Sequence, residues 1–287
     1  MDLTSVLVVL DGGEGDEALL EVSLAFARDR DLCVQLLCVR PGPDQAVPVV
    51  ADGLSGGAVG EIIEALEQSN RARVETVEAL YQRLCVEPGL PLAEGESGEV
   101  GFKVSFEVVE GLVESVVAER GRRCDLIALG RPVAAEDRLY APALEAALFS
   151  TGRPALVLPP DPCETLGTNV VVAWNDTGEA ARALGASLPF LERAKAVELF
   201  SVEDAGCIAD PRVLDGYLKR HGIAASFRRL QPDFRPLGEQ MLEEAKESGA
   251  DLFVMGAYGH SRLRELVLGG VTRQVLATAD IPVLMIH

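Results

Sequence analysis

A chain of 287 residues with a formal net charge of −19 repels nucleic-acid phosphates and anionic membrane surfaces alike. No block of Lys or Arg reverses that sign locally, so nucleic acid and membrane are excluded as expected partners. Hydrophobic residues make up 48% and charged ones 25%, enough apolar material for two domains of roughly 100–150 residues each. The opening MDLTSVLVVLDG has no basic segment, and its apolar run falls far short of the roughly 20 residues of a spanning helix. The expectation is a cytoplasmic protein. Six cysteines (Cys33, Cys38, Cys85, Cys124, Cys163, Cys207) form no CxxC pair and read as reduced core thiols. Cys33 and Cys38 fall on opposite faces of one predicted strand, which argues against a redox pair.

In chain order, the patterns predict a strand at 5–10, a helix at 16–30 and a strand at 33–39. Gly/Pro-rich loops then flank one long helical run at about 59–85. A strand at 102–109, a helix at 110–122, a strand at 125–129, a helix near 142–151 and a strand at 154–158 follow. Residues 159–167, PPDPCETLG, with three prolines, read as a linker. Beyond it come a strand at 169–174, a helix at 178–193, a strand at 196–202, a helix at 210–221 and a strand at 224–230. A helix at 236–248, a strand at 251–255, a helix at 271–279 and a strand at 282–286 complete the chain. Strands alternating with helices imply a parallel sheet covered on both faces by right-handed crossovers.

Three strands recur in the same order. SVLVVLD at 5–11 matches NVVVAWN at 169–175, DLIALG at 125–130 matches DLFVMG at 251–256, and RPALVL at 153–158 matches IPVLMI at 281–286. An ordered set of matches marks a duplicated unit. One copy is placed at 1–160 and the other at 168–287. From Asp11 to Asp125 is 114 positions and from Asn175 to Asp251 is 76, so the front copy carries an insertion of 38, placed within 41–101.

The densest functional signal is the stretch 251–272. A buried strand stops at Gly256, Gly259 follows, and Gly269 and Gly270 open a helix at Val271. Glycine lets main chain approach a ligand, and a helix start presents free N–H groups that suit a phosphate. The spacing Gly-x2-Gly-x9-Gly resembles the nucleotide-binding subgroup of the universal stress protein family. Gly256, Gly259 and Gly269 match that motif, while Gly270 stands where the family has Ser or Thr.

The resemblance covers both copies. It implies an adenine nucleotide alpha hydrolase-like α/β fold of two tandem open parallel five-stranded sheets, with helices on both faces, related by a pseudo-two-fold axis. It also implies that the last strands of the copies pair across that axis. By the same resemblance the back copy binds ATP or another adenine nucleotide, with or without Mg2+, in a regulatory stress-response role without catalysis. Ala173, Trp174 and Asn175 would lie beside the nucleotide, Asn175 standing where an Asp is usual, which removes a charge from any bound cation. Residues around Val202 would face the adenine. Gly256 and Gly259 would line the ribose and α-phosphate, with Met255 at the strand end beside them and His260 within reach of a phosphate, and Gly269, Gly270, Val271 and Thr272 would hold the phosphates through backbone N–H groups. A nucleotide-free scaffold that binds another small ligand, a protein partner or a second copy is the alternative.

Front and back differ. Val133 replaces Gly259 there and Ala141-Pro142 replaces the paired glycines, so the front site reads as degenerate. Residues 13–18, GEGDEA, fit a GxGxxA dinucleotide pattern, but Glu14, Asp16 and Glu17 would repel a pyrophosphate. That segment reads as a solvated turn and helix start. Residues 53–57, GLSGG, fit GxSxG, yet His221, His260 and His287 all lie in the other copy. A glycine loop is the expectation there, and Ser55 is not assigned as a nucleophile. Asp176 or Thr177 is the expected N-cap of the helix at 178, and no His/Cys metal spacing occurs.

Overall fold

Runs such as VLVVL, IAL and VLMI are β-branched and leucine-rich on both alternating faces, as strands buried on two sides require. The computed structural model describes residues 3–42, 56–93, 100–132, 140–202, 210–257 and 270–287. These runs form β1 (Ser5–Leu10), β2 (Cys33–Arg40), β3 (Lys103–Glu110), β4 (Leu126–Gly130) and β5 (Ala155–Leu158), then β6 (Asn169–Ala173), β7 (Ala196–Val202), β8 (Ser226–Leu230), β9 (Leu252–Gly256) and β10 (Val283–Ile286). Together they make one sheet of order β3-β2-β1-β4-β5-β10-β9-β6-β7-β8. Within each half every neighbouring pair is parallel. The halves join by the antiparallel pair β5 and β10, with Leu156 opposite Leu284. The expected pairing of the last strands is therefore present, and it fuses two five-stranded sheets into one.

Helices α1 (Asp16–Asp29), α2 (Gly56–Tyr81), α5 (Gly178–Leu191) and α6 (Asp215–Arg220) cover one face, around Val6, Val8, Leu20, Val77, Leu184 and Val254. Helices α3 (Val113–Gly121), α4 (Tyr140–Ser150), α7 (Leu237–Glu247) and α8 (Gly270–Thr278) cover the other, around Leu7, Val9, Val117, Ala147, Met241 and Val275. No helix among the described residues is long and apolar enough to cross a membrane.

The duplication is visible atom by atom. Val6 pairs with Leu126 and Val170 with Leu252, which sets β1 on β6 at an offset of 164 positions and β4 on β9 at 126, the difference being the insertion of 38. Phe26 and Phe190 share the offset of 164, and their rings stack on each other at 5.2 Å. Arg30 lies over both rings, 4.6 and 5.2 Å from their centroids, and donates to the Pro189 carbonyl at 2.8 Å. Aromatic burial with a guanidinium on the π faces thus fastens α1 to α5 at the axis.

Three elements differ from their sequence expectation. β3 runs on to Glu110, held to Arg40 in the ladder and by an ion pair, so α3 begins at 113 rather than 110. The long helix starts at Gly56 and ends in a π-helical turn, Gln82–Val86. The segment expected as one helix at 210–221 is a 3-10 turn, Pro211–Leu214, followed by α6. Asp210 caps that turn by accepting from the Arg212 N–H at 3.0 Å, and Pro211 follows it, which fixes a tight start.

α2 is the crossover from β2 to β3 and so descends antiparallel to the strands. Its lower half is packed, with Val77 and Leu80 buried and Tyr81 stacked on Phe106 at 4.9 Å. Arg73 meets the end of β1, where its Nε donates to the Asp11 carbonyl at 2.6 Å. The 17 residues before Arg73 make about 25 Å of helix at 1.5 Å per residue, held beside the end of β2 where Asn70 Nδ2 donates to the Pro41 carbonyl at 3.1 Å. From 60 to 69 they are exposed except for half-buried Ile62 and Ile63.

Candidate functional site

In each half the connection leaving the first strand turns one way and that leaving the fourth turns the other. The crevice of the back half therefore opens between the carboxyl ends of β6 and β9. β6 leads into Trp174, Asn175 and Asp176, and β9 ends at Met255-Gly256 before Ala257.

The Ala173 and Met255 side chains belong to the core under α7 and α8, and Trp174 to the core on the opposite face. What Ala173 and Met255 offer a ligand is main chain. Trp174 is 6% exposed, and its indole Nε1 has no hydrogen-bond partner among the described residues. Asn175 is exposed, and its Oδ1 accepts from the Thr177 hydroxyl at 2.8 Å. Thr177 Oγ1 in turn accepts from the Ala180 N–H at 3.3 Å, which makes Thr177 the N-cap of α5. Asp176 takes φ +57°, the left-handed conformation. Val202 is half-buried at the end of β7.

Gly256 has a packing reason to be glycine. A Cβ there would lie 2.7 Å from the carbonyl carbon of Glu179 and 2.8 Å from the Ala180 nitrogen, both backbone atoms. The end of β9 thus touches the first turn of α5. Gly270, at the start of α8, is exposed, and a Cβ there would meet nothing within 4 Å among the described residues. Val271 is half-buried and Thr272 is 3% exposed, on the inner side of α8. Gly259, His260 and Gly269 lie outside the described residues, as does Ser55. Among the described residues no group of three or more His, Cys, Asp or Glu could hold a metal ion.

The front edge is built differently. Asp16, expected to be solvated, is 2% exposed. Its Oδ2 accepts from the N–H groups of Asp11 at 3.0 Å and Gly12 at 2.7 Å. Those donors repay the burial of a carboxylate, which is why it sits inside. An incoming pyrophosphate would find that place already negative, which disposes of the GxGxxA pattern. Arg73 closes over the same turn, its carbonyl oxygen 3.0 Å from a Cβ built on Gly12. Cys38, at the end of β2, has its thiol pushed up to about 11 by burial, so it stays protonated.

At the opposite, amino edge of the back half lies an open cleft of about 470 Å³ lined by Asn169, Glu198, Ser226, Arg228 and Ser248. Arg228 is already engaged there by Glu198, Glu244 and Ser248, so its charge is already answered by carboxylates of the chain. Sequence reasoning missed the contrast between Asp16 and Ala180. Placing the two copies in register was the signal that could have found it.

The family model described as universal stress protein family matches residues 192–287. Universal stress protein Slr1230 of Synechocystis sp. is 48% identical over 46 residues, 16% of each chain. Universal stress protein MJ0577 of Methanocaldococcus jannaschii is 35% identical over 48 residues, 17% of this chain and 30% of that one. The aligned stretches therefore span less than a third of those relatives' own length. A universal stress protein structure from Archaeoglobus fulgidus aligns with TM-score 0.66 and 18% identity over 99% of this chain and 96% of that one. A putative universal stress protein from Pseudomonas aeruginosa aligns with TM-score 0.58 and 16% identity over 99% and 93%. At such identities the likeness is one of fold.

Proposed function

We propose that the chain is a member of the universal stress protein family, whose model matches residues 192–287, and that its back half, 168–287, binds an adenine nucleotide such as ATP in a regulatory stress-response role. The observation that carries this is the crevice between β6 and β9, where the side chains of Ala173, Trp174 and Met255 belong to the cores and leave their main chain at the strand ends. Among the described residues nothing lies within 4 Å of a Cβ built on Gly270, at the first turn of α8. The N–H groups of Asn175 and Asp176 find no acceptor among the described residues. Such donors fit a phosphate or ribose oxygen without a lysine or arginine. No chemical step is assigned, and the front half, 1–160, serves as the structural twin.

Mass spectrometry of small molecules released on denaturing the purified protein tests the proposal. Adenine nucleotide should be recovered, or millimolar ATP with magnesium should raise Tm. The absence of both would sink it. Gly270→Ser restores a hydroxyl at the helix start and should tighten ATP by about fivefold, the worth of one ordinary hydrogen bond. Gly259→Val should abolish binding while leaving the fold intact, because the front half already has Val133 in that place.

A second role, a nucleotide-free scaffold for another ligand or a protein partner, is favoured by Gly256, whose contact with α5 requires glycine with or without a ligand. Fully folded protein that neither releases nor responds to nucleotide would support it.

A further inference from the structure

The two copies hold corresponding places at the amino ends of their outer strands, on the face covered by α3 in front and α7 behind. Gln35 stands opposite Ser105 and Leu37 opposite Glu107, as Glu198 stands opposite Ser226 and Phe200 opposite Arg228. The serine hydroxyls match as well, Ser105 Oγ donating to the Val34 carbonyl at 3.4 Å and Ser226 Oγ to the Val197 carbonyl at 3.3 Å. What differs is the space. The front place is a void of about 30 Å³, room for about two water molecules at most. The back place is an open cleft of about 470 Å³, within the roughly 300–1,000 Å³ of small-molecule sites.

Side chains account for the difference. In front, the Cys124 thiol donates to Gln35 Oε1 at 3.4 Å, and Arg120 crosses from α3 to Glu107 with bonds of 3.2 and 2.9 Å. The offset of 126 that sets β4 on β9 puts Ala250 in the place of Cys124 and Lys246 in that of Arg120. Ala250 has no polar group to reach across, and Lys246 is drawn to Asp280 at 2.6 Å. The back copy has therefore lost the groups that close the front place.

The charge of the two linings differs in the same sense. In front Glu107 is balanced by Arg120. Behind, Glu198 and Glu247 line the cleft against Arg228, and Arg228 is further answered by Glu244 at 3.0 Å. Negative charge is thus in excess, and the last carbonyls of α7 add to it. Among the described residues no group of three or more His, Cys, Asp or Glu could hold a metal ion, so the cation that fits this cleft is organic. Val171 and Ala250 line it beside the carboxylates and suit methylene groups.

We infer that the amino-edge cleft of the back half binds a small organic cation, an alkylamine or a guanidinium compound. Its charged head lies against Glu198 and Glu247 and its carbon atoms against Val171 and Ala250. The cleft is at the opposite sheet edge from the nucleotide crevice, and the inference does not rest on the nucleotide proposal.

Amide NMR on the full chain tests it, with putrescine and, separately, methylguanidine titrated at constant ionic strength. The amides of Ser226, Arg228 and Ser248 should move and saturate, and whichever cation acts at lower concentration identifies the head group. A chain of net charge −19 attracts any cation weakly, so shifts spread over the whole acidic surface without saturation at those three amides overturn the inference. So does the absence of any shift there. Glu198→Gln copies the front residue and should weaken binding about tenfold, the loss of one bond to a charged group. That change also strips Arg228 of a partner, so Glu247→Gln, at an exposed position, is measured beside it. It should weaken binding about two- to fivefold with the urea midpoint unchanged. Unchanged affinity in Glu247→Gln, or in folded Glu198→Gln, overturns the inference.

Discussion

Asp125 and Asp251 open the repeated DL motifs, and each clamps the chain entering the first strand of its own half. Asp125 accepts from the Thr4 N–H at 2.9 Å, the Thr4 hydroxyl at 2.6 Å and the Ser5 N–H at 3.2 Å. Asp251 accepts from the N–H groups of Thr168 at 3.0 Å and Asn169 at 2.8 Å. Bonds to a carboxylate are worth about 1.5–3 kcal/mol, so Asp125→Ala should lower unfolding stability by about 2–3 kcal/mol in urea titrations. Burial pushes the Asp125 carboxyl up, but the bonds from Thr4 and Ser5 outweigh it and hold the group below the usual carboxylate value. Its contribution is therefore complete above the unfolded carboxyl's value of about 3.9 and is lost as pH falls through the lower folded one. The gap between wild type and Asp125→Ala should be constant near neutrality and narrow only in that acid window. A gap that narrows already at pH 6 would contradict the assignment.

Gly256 makes a second prediction at this scale. Both nearest atoms to its missing Cβ are backbone and cannot rotate aside, so Gly256→Ala should cost about 1–3 kcal/mol by overpacking. Equal urea midpoints for variant and wild type would show that β9 and α5 can separate freely. The glycine itself was legible in the sequence, but its reason was not. Spacing shows that main chain is bare, whereas only the fold shows that a helix start, 77 positions earlier at Glu179, lies against it. Asp16 was misjudged for the same cause, because three carboxylates in one run look solvated until the donors of Asp11 and Gly12 are seen around one of them.

At the scale of elements, alternating apolar runs located all ten strands, since a strand buried on both faces has little freedom in its composition. Boundaries moved where neighbours decide them, as β3 does when Arg40 holds Glu110. The inserted segment was the least legible. Its helical period continues past the point at which there is any sheet left to cover, so composition could not say where packing stops. The two leucines on α2 divide at that point, Leu80 being 7% and Leu66 37% exposed. Leu80→Ala should cost about 2–4 kcal/mol, whereas Leu66→Ala should stay within about 0.5 kcal/mol. Comparable losses from both, measured as shifts in urea midpoint, would mean that the overhang is covered by something in solution.

For the whole molecule, the seam matters most. β5 and β10 pair only with each other and with strands of their own halves, so separating the halves would expose two apolar sheet edges at once. Behind the seam, Phe26 and Phe190 share one ring stack, and Arg193 pairs with Asp29 at 3.3 Å. Neither half keeps an intact core without the other, which predicts that both unfold together despite a length at which domains usually separate. Trp174 is the single tryptophan of the chain and lies in the back half, so its fluorescence reports on that half alone, while far-UV circular dichroism reports on both. The two signals should follow one urea transition with a common midpoint. A loss of ellipticity that precedes any change in Trp174 would show the front half melting by itself, and would reduce the continuous ten-stranded sheet to two domains that merely touch.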